Sequence, residues 1–91
     1  MNLRDTNVKL GEHVWSVKFR NRRKFPDKKA WGLCDWETKT IWVRNDLCPV
    51  NVLDTLLHEL THGQRNHEAE EYVNEKATEL AKAMIEVGVL E

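Results

Sequence analysis

The stretch Thr55-Leu56-Leu57-His58-Glu59-Leu60-Thr61-His62-Gly63 constrains this chain more than any other. It carries the spacing His-Glu-x-x-His inside an apolar run, and residues four apart on a helix lie one above the other. His58 and His62 can therefore aim a ring nitrogen at one small ion. A Zn–N bond of about 2.0 Å leaves little slack for other spacings, and Glu59, one position on, can reach the open side of such an ion without ligating it. In a chain of this length and composition the pattern arises by chance about two times in a hundred, so its surroundings must decide.

Those surroundings favour a helix with a metal on one side. Leu53, Leu56, Leu57 and Leu60 form an i, i+3, i+4, i+7 stripe that predicts one buried face, with His58 and His62 projecting from nearly the opposite side. Asn51 or Asp54 can cap the start after Pro49, and Gly63 can end the helix just after the second histidine.

The whole chain is 91 residues, 41% hydrophobic and 32% charged, which predicts one small α+β domain over residues 1–91 with a single modest core. A bound metal would add stability that so small a core cannot. The polar start Met1-Asn2-Leu3-Arg4-Asp5 and the absence of a long apolar run predict a soluble, cytoplasmic protein that makes no use of a membrane. Cys34 and Cys48 lack metal-ligand spacing; they could pair across neighbouring strands, but without an export signal they are expected to be reduced, half-buried thiols.

The formal net charge of −1 conceals an uneven split, because the basic residues concentrate in Lys18, Arg20, Arg22, Arg23, Lys24, Lys28 and Lys29. A solvated hairpin loop that keeps strand edges apart accounts for this, since no stacking platform or second basic cluster accompanies it; contact with nucleic acid or an acidic partner through Lys18–Lys29 is the other use.

Val14–Arg20 alternates apolar and polar residues and reads as a strand, with Val8–Leu10 as a short strand before it and a turn at Gly11-Glu12. Ala30–Trp36 and Thr40–Arg44 read as two more, joined by a hairpin turn through Asp35–Lys39. The simplest assembly is an antiparallel three-stranded sheet with the leucine face of the helix packed on it. Trp15, Trp31, Trp36 and Trp42 fall in or beside these strands and are expected mostly in the core, with one or two free to line a groove at a sheet edge.

A second helix is predicted after the link Gln64-Arg65-Asn66, with an acidic start and apolar positions Val73, Ala77, Leu80, Ala81, Met84 and Val87; the short link makes it antiparallel to the first. Its helical phase, extended backwards, puts Glu70 on the inward arc as the third metal ligand and Asn74 one turn on as its hydrogen-bond partner. Glu71 is the strongest competitor for that role, Glu75 lies more than a turn further on, and His67 is out of register for a third histidine ligand. His13, His67 and Tyr72 remain candidates to touch a substrate or hold an oxyanion.

Leu56-Leu57-His58-Glu59-Leu60-Thr61-His62, beside a strand hairpin and followed by an acidic helix, resembles the compact gluzincin-type metallopeptidases, including the SprT-like and ImmA/IrrE-like groups and small phage-type relatives. Val73-Asn74-x-x-Ala77 is also similar to the Ala-Asn-x-Phe-Ala stretch of the ImmA/IrrE-like group. The resemblance implies a zincin-like fold, one Zn²⁺, a protein or peptide substrate, and hydrolysis with Glu59 as general base. An extended peptide could then lie beside Thr40–Val43, if that strand is at the edge next to the helix. The rival expectation is a zinc-stabilised binding module without turnover, which would have no need of Glu59.

Overall fold

The structure is a computed structural model that describes residues 2–64 and 73–89, the side chains of 73–78 excepted. It is an α+β arrangement in which four strands, β1 (Thr6–Leu10), β2 (His13–Arg20), β3 (Gly32–Asp35) and β4 (Thr40–Arg44), are followed by α1 (Pro49–Gln64) and α2 (Val73–Val87). The strand order is β1-β2-β4-β3. β1 pairs with β2 and β3 with β4 antiparallel, but β2 and β4 run parallel, in register Val17↔Ile41 and Phe19↔Val43.

The sheet is therefore mixed and four-stranded, which corrects the expected three antiparallel strands. The reason lies in what each strand can bury. Ile41 and Val43 point to the helix side and are fully buried with Trp15, Val17 and Phe19, so β4 stabilises the fold most as an interior strand. Its opposite face carries Trp42, which is half-buried. Phe25, itself buried, packs edge-on against Trp42 at 6.3 Å between ring centroids, and the Lys18 ammonium sits 5.2 Å from the same ring. β3 offers only Gly32, Leu33, Cys34 and Asp35, none fully buried, and takes the edge.

The basic stretch is thus no hairpin loop: it carries the chain from β2 to β3 across the outer face of β4. Lys18 and Arg20 belong to β2, and Arg20 forms an ion pair with Asp5 at 2.7 Å. The Arg22 amide donates to Asp46, Lys28 Nζ donates to the carbonyls of Arg22 and Arg23, and Asn21 accepts from the Lys24 amide. Asp46 is held at a pKa of about 2, chiefly by its hydrogen bonds from Arg44. Of the basic side chains, Lys18 sits on the Trp42 ring, Arg20 pairs with Asp5, Arg22 Nε donates to the Lys28 carbonyl and Lys28 donates to the carbonyls of Arg22 and Arg23, so these four are engaged within the molecule.

The inner face of the sheet meets both helices. Val52, Leu56 and Leu60 of α1 and Ala83 and Val87 of α2 complete the core. α1 begins earlier than expected, with Pro49 in its first turn and the Val52 amide bonded to the Cys48 carbonyl at 3.0 Å, so Asn51 and Asp54 lie inside the helix and do not cap it. Its buried face is Val52, Leu56, Glu59, Leu60 and Gly63, and Leu57 is left 43% exposed. Gly63 does not stop the helix, which runs on to Gln64; a Cβ there would stand 2.7 Å from Leu10 Cδ1, so it permits close packing on the β1–β2 hairpin.

Of the four tryptophans only Trp15 is fully buried; Trp36 and Trp42 are half-buried and Trp31 is exposed. Cys34 is half-buried as expected, Cys48 is exposed where a half-buried thiol was expected, and the two are not joined in a disulfide. On α2, Ala83 rather than Ala81 faces the core. No helix among the described residues is long and apolar enough to cross a membrane.

Candidate metal centre

α1 delivers the two histidines as the helical spacing requires. His58 Nε2 and His62 Nε2 are 3.0 Å apart, with the rings nearly perpendicular and their centroids separated by 4.5 Å. Two nitrogens on a tetrahedral zinc at its usual bond length are about 3.3 Å apart, so a shift of a few tenths of an ångström turns this contact into a chelate. The His58 side chain is 69% exposed and His62 is exposed too, so an ion can reach them from solvent.

Glu59 differs from its neighbours. It lies on the buried side of α1, only 6% exposed, with Oε1 3.9 Å from His58 Nε2. The donor atoms of His58, Glu59 and His62 all lie within 4.8 Å of one another and could hold a metal ion. Burial pushes the Glu59 carboxyl up from its ordinary pKa, while the nearby histidine charges oppose that rise. A carboxylate in this setting is a stronger base than one in water, and it stands beside the position an ion would take.

Gly32 of β3 makes this burial feasible. A Cβ at position 32 would meet Thr55 Cγ2 at 2.7 Å and Glu59 Cγ at 2.9 Å, with the Trp42 carbonyl at 3.2 Å behind it. Only glycine lets the edge strand approach α1 this closely, a requirement that no local pattern around residue 32 announces. Gly32→Ala is expected to cost about 1–3 kcal/mol from overpacking and to displace the Glu59 carboxylate, while His58 and His62 keep their spacing. Thermal melts and zinc affinity on the same preparation check this. Wild-type stability in the alanine variant would show that the strand has room to retreat.

Between β3 and α1 lies a cleft of about 280 Å³ lined by Gly32, Leu33, Cys34, Trp36, Glu59 and His62. β3, rather than the interior Thr40–Val43 strand, therefore borders the site. His13 opens β2 and is exposed; it packs edge-on against Trp36 at 5.8 Å but does not itself line this cleft. The third-ligand candidates Glu70 and Glu71 lie outside the described residues, as do His67 and Tyr72, and the side chains of Asn74 and Glu75 are likewise outside them. Sequence reasoning missed Glu79, whose Oε1 accepts from the Gly11 amide at 2.8 Å and from Gln64 Nε2 at 3.3 Å, joining α2, the first hairpin and the last residue of α1.

Compared with the profiles of known protein families, with curated proteins and with solved structures, the chain matches none.

Proposed function

We propose that this protein is a zinc-dependent peptidase of minimal, gluzincin-like design. The observation that carries the reading is the contrast within one helical turn: two exposed imidazole nitrogens at near-chelating distance, and between them in sequence a carboxylate buried against the cleft. A site that used metal for folding alone has no call for that buried base. His58 and His62 would hold the ion, with Glu70 as the proposed third ligand. When bound, zinc acidifies water and polarises a carbonyl.

Glu59 is suited to take a proton from water as the oxygen bonds to the scissile carbonyl carbon, and to return it to the amine nitrogen as the C–N bond breaks. The edge strand β3 supports the reading further. Its outer backbone groups face no other described strand, and an extended peptide can pair with such an edge and so run past Glu59 and His62.

The test is to load the protein with zinc, measure stoichiometry, and follow cleavage of an unstructured protein such as casein with and without chelator. One zinc per chain with chelator-sensitive cleavage is expected; one zinc with no cleavage would favour the binding module. Removing the ion is also expected to lower the melting temperature, since free zinc at a hundredfold excess over its dissociation constant stabilises the native state by about 2.7 kcal/mol. A melt that does not move in protein shown to have held zinc would mean that the ion also binds the unfolded chain.

A further inference from the structure

We infer that the cleft between β3 and α1 is a subsite for one apolar side chain of the substrate, with Trp36 as the residue that selects it. This rests on the peptidase reading and adds the class of peptide it would take. The two walls of the cleft differ in chemistry: α1 contributes the polar Glu59 and His62, whereas β3 and its following turn contribute Leu33, Cys34 and Trp36, with no charged side chain. At about 280 Å³ the cleft lies just below the range that holds whole small molecules, about 300–1,000 Å³; it is open to solvent and has room for a side chain.

The apolar wall is fixed in advance. The Trp36 ring packs edge-on against buried Trp15 at 4.7 Å, and Lys39 clamps it by placing Nζ 4.8 Å from the ring and donating to the Trp36 carbonyl at 2.6 Å. Lys39 does this from a left-handed backbone, φ 52°, that non-glycine residues seldom adopt. The Asp35 carboxylate accepts from the Glu37 and Thr38 amides and shapes the same turn. A ring held this way loses little freedom when a ligand arrives, so the contact contributes to discrimination instead of being spent on ordering. An extended peptide beside β3 turns alternate side chains toward one face, which puts a single residue against Trp36.

The two cysteines, which are not joined in a disulfide, supply the readout. Cys34 lines the cleft and Cys48 is exposed at the start of α1, so one molecule carries both probe and control. Zinc-loaded wild-type protein would be alkylated with iodoacetamide in the presence of short blocked peptides identical except for one residue, Leu, Phe or Asn. Asn is close to Leu in size and uncharged, so attraction or repulsion by Glu59 drops out of the comparison.

At equal concentration, the Leu and Phe peptides are expected to slow Cys34 alkylation about tenfold more than the Asn peptide, with Cys48 unaffected. Trp36→Ala should abolish the difference; should that variant fail to fold, the wild-type footprint decides alone. Equal protection by Leu and Asn, or no protection of Cys34, would overturn the subsite. Cleavage of the same peptides is followed in parallel. Protection without cleavage would keep the subsite and remove the peptidase reading, whereas cleavage without protection would remove the subsite alone.

Discussion

Glu59→Gln is expected to lower peptide turnover by a factor of roughly 10² to 10⁴, the usual contribution of a positioned general base, while zinc stoichiometry and the melting temperature of the zinc-loaded protein stay close to wild type. Glutamine matches glutamate in shape, so it fills the space against Gly32 and Thr55 that the buried side chain occupies. It has no basic oxygen, so it cannot take the proton from water. The substitution also removes a carboxylate that burial makes costly to ionise, so folding should not suffer. Turnover, zinc content and melting are to be measured on one preparation. Undiminished turnover would remove Glu59 from the mechanism; lost zinc would make Glu59 a ligand and the site a different one.

How much of this was legible in the sequence depends on how local each feature is. The spacing of His58 and His62 on one helix, the β1–β2 turn at Gly11-Glu12 and the bounds of β4 follow from periodicity and turn chemistry over a few residues, and the structure has them. The parallel pairing of β2 with β4 was not legible. It depends on Phe25 reaching back over Trp42, and on β3 being too poor in large apolar residues to hold an interior place. The buried face of α1 was misread by one position because Leu57 was weighed by its hydrophobicity, whereas the core takes up Val52 and leaves Leu57 outside. Gly63 was misread as a helix stop, and Gly32 went unread, for a related reason: their role is to lack a side chain where another element passes, and that element is distant in sequence.

Gly88 shows the same effect at its strongest, and Gly88→Ala is expected to destabilise the fold by about 3 kcal/mol. Gly88 ends α2 with φ 102°; its amide bonds to the Ile85 carbonyl and the Val89 amide to the Met84 carbonyl, the paired bonds of a Schellman cap. A residue with a Cβ in that conformation costs about 1–2 kcal/mol from the backbone alone. The added atom would also stand 2.0 Å from the Asn2 carbonyl oxygen, which is backbone and cannot swing aside as a side chain can. Relief requires the N-terminal segment to move away. That movement breaks the bonds by which the Asn2 amide holds the Gly88 carbonyl at 3.1 Å and the Arg4 amide holds the Val87 carbonyl at 2.9 Å, each worth about 0.5–1.5 kcal/mol net. In a domain of this size about 3 kcal/mol corresponds to a fall in melting temperature of roughly 12–24 °C. Gly11→Ala is the control, because Gly11 also has a positive φ, 65°, but a Cβ there meets nothing within 4 Å, so only the backbone cost of about 1–2 kcal/mol applies. Thermal melts of both variants separate the two causes: if Gly88→Ala falls no further than Gly11→Ala, the N-terminal segment is not clasped to the end of α2 and the collision does not occur.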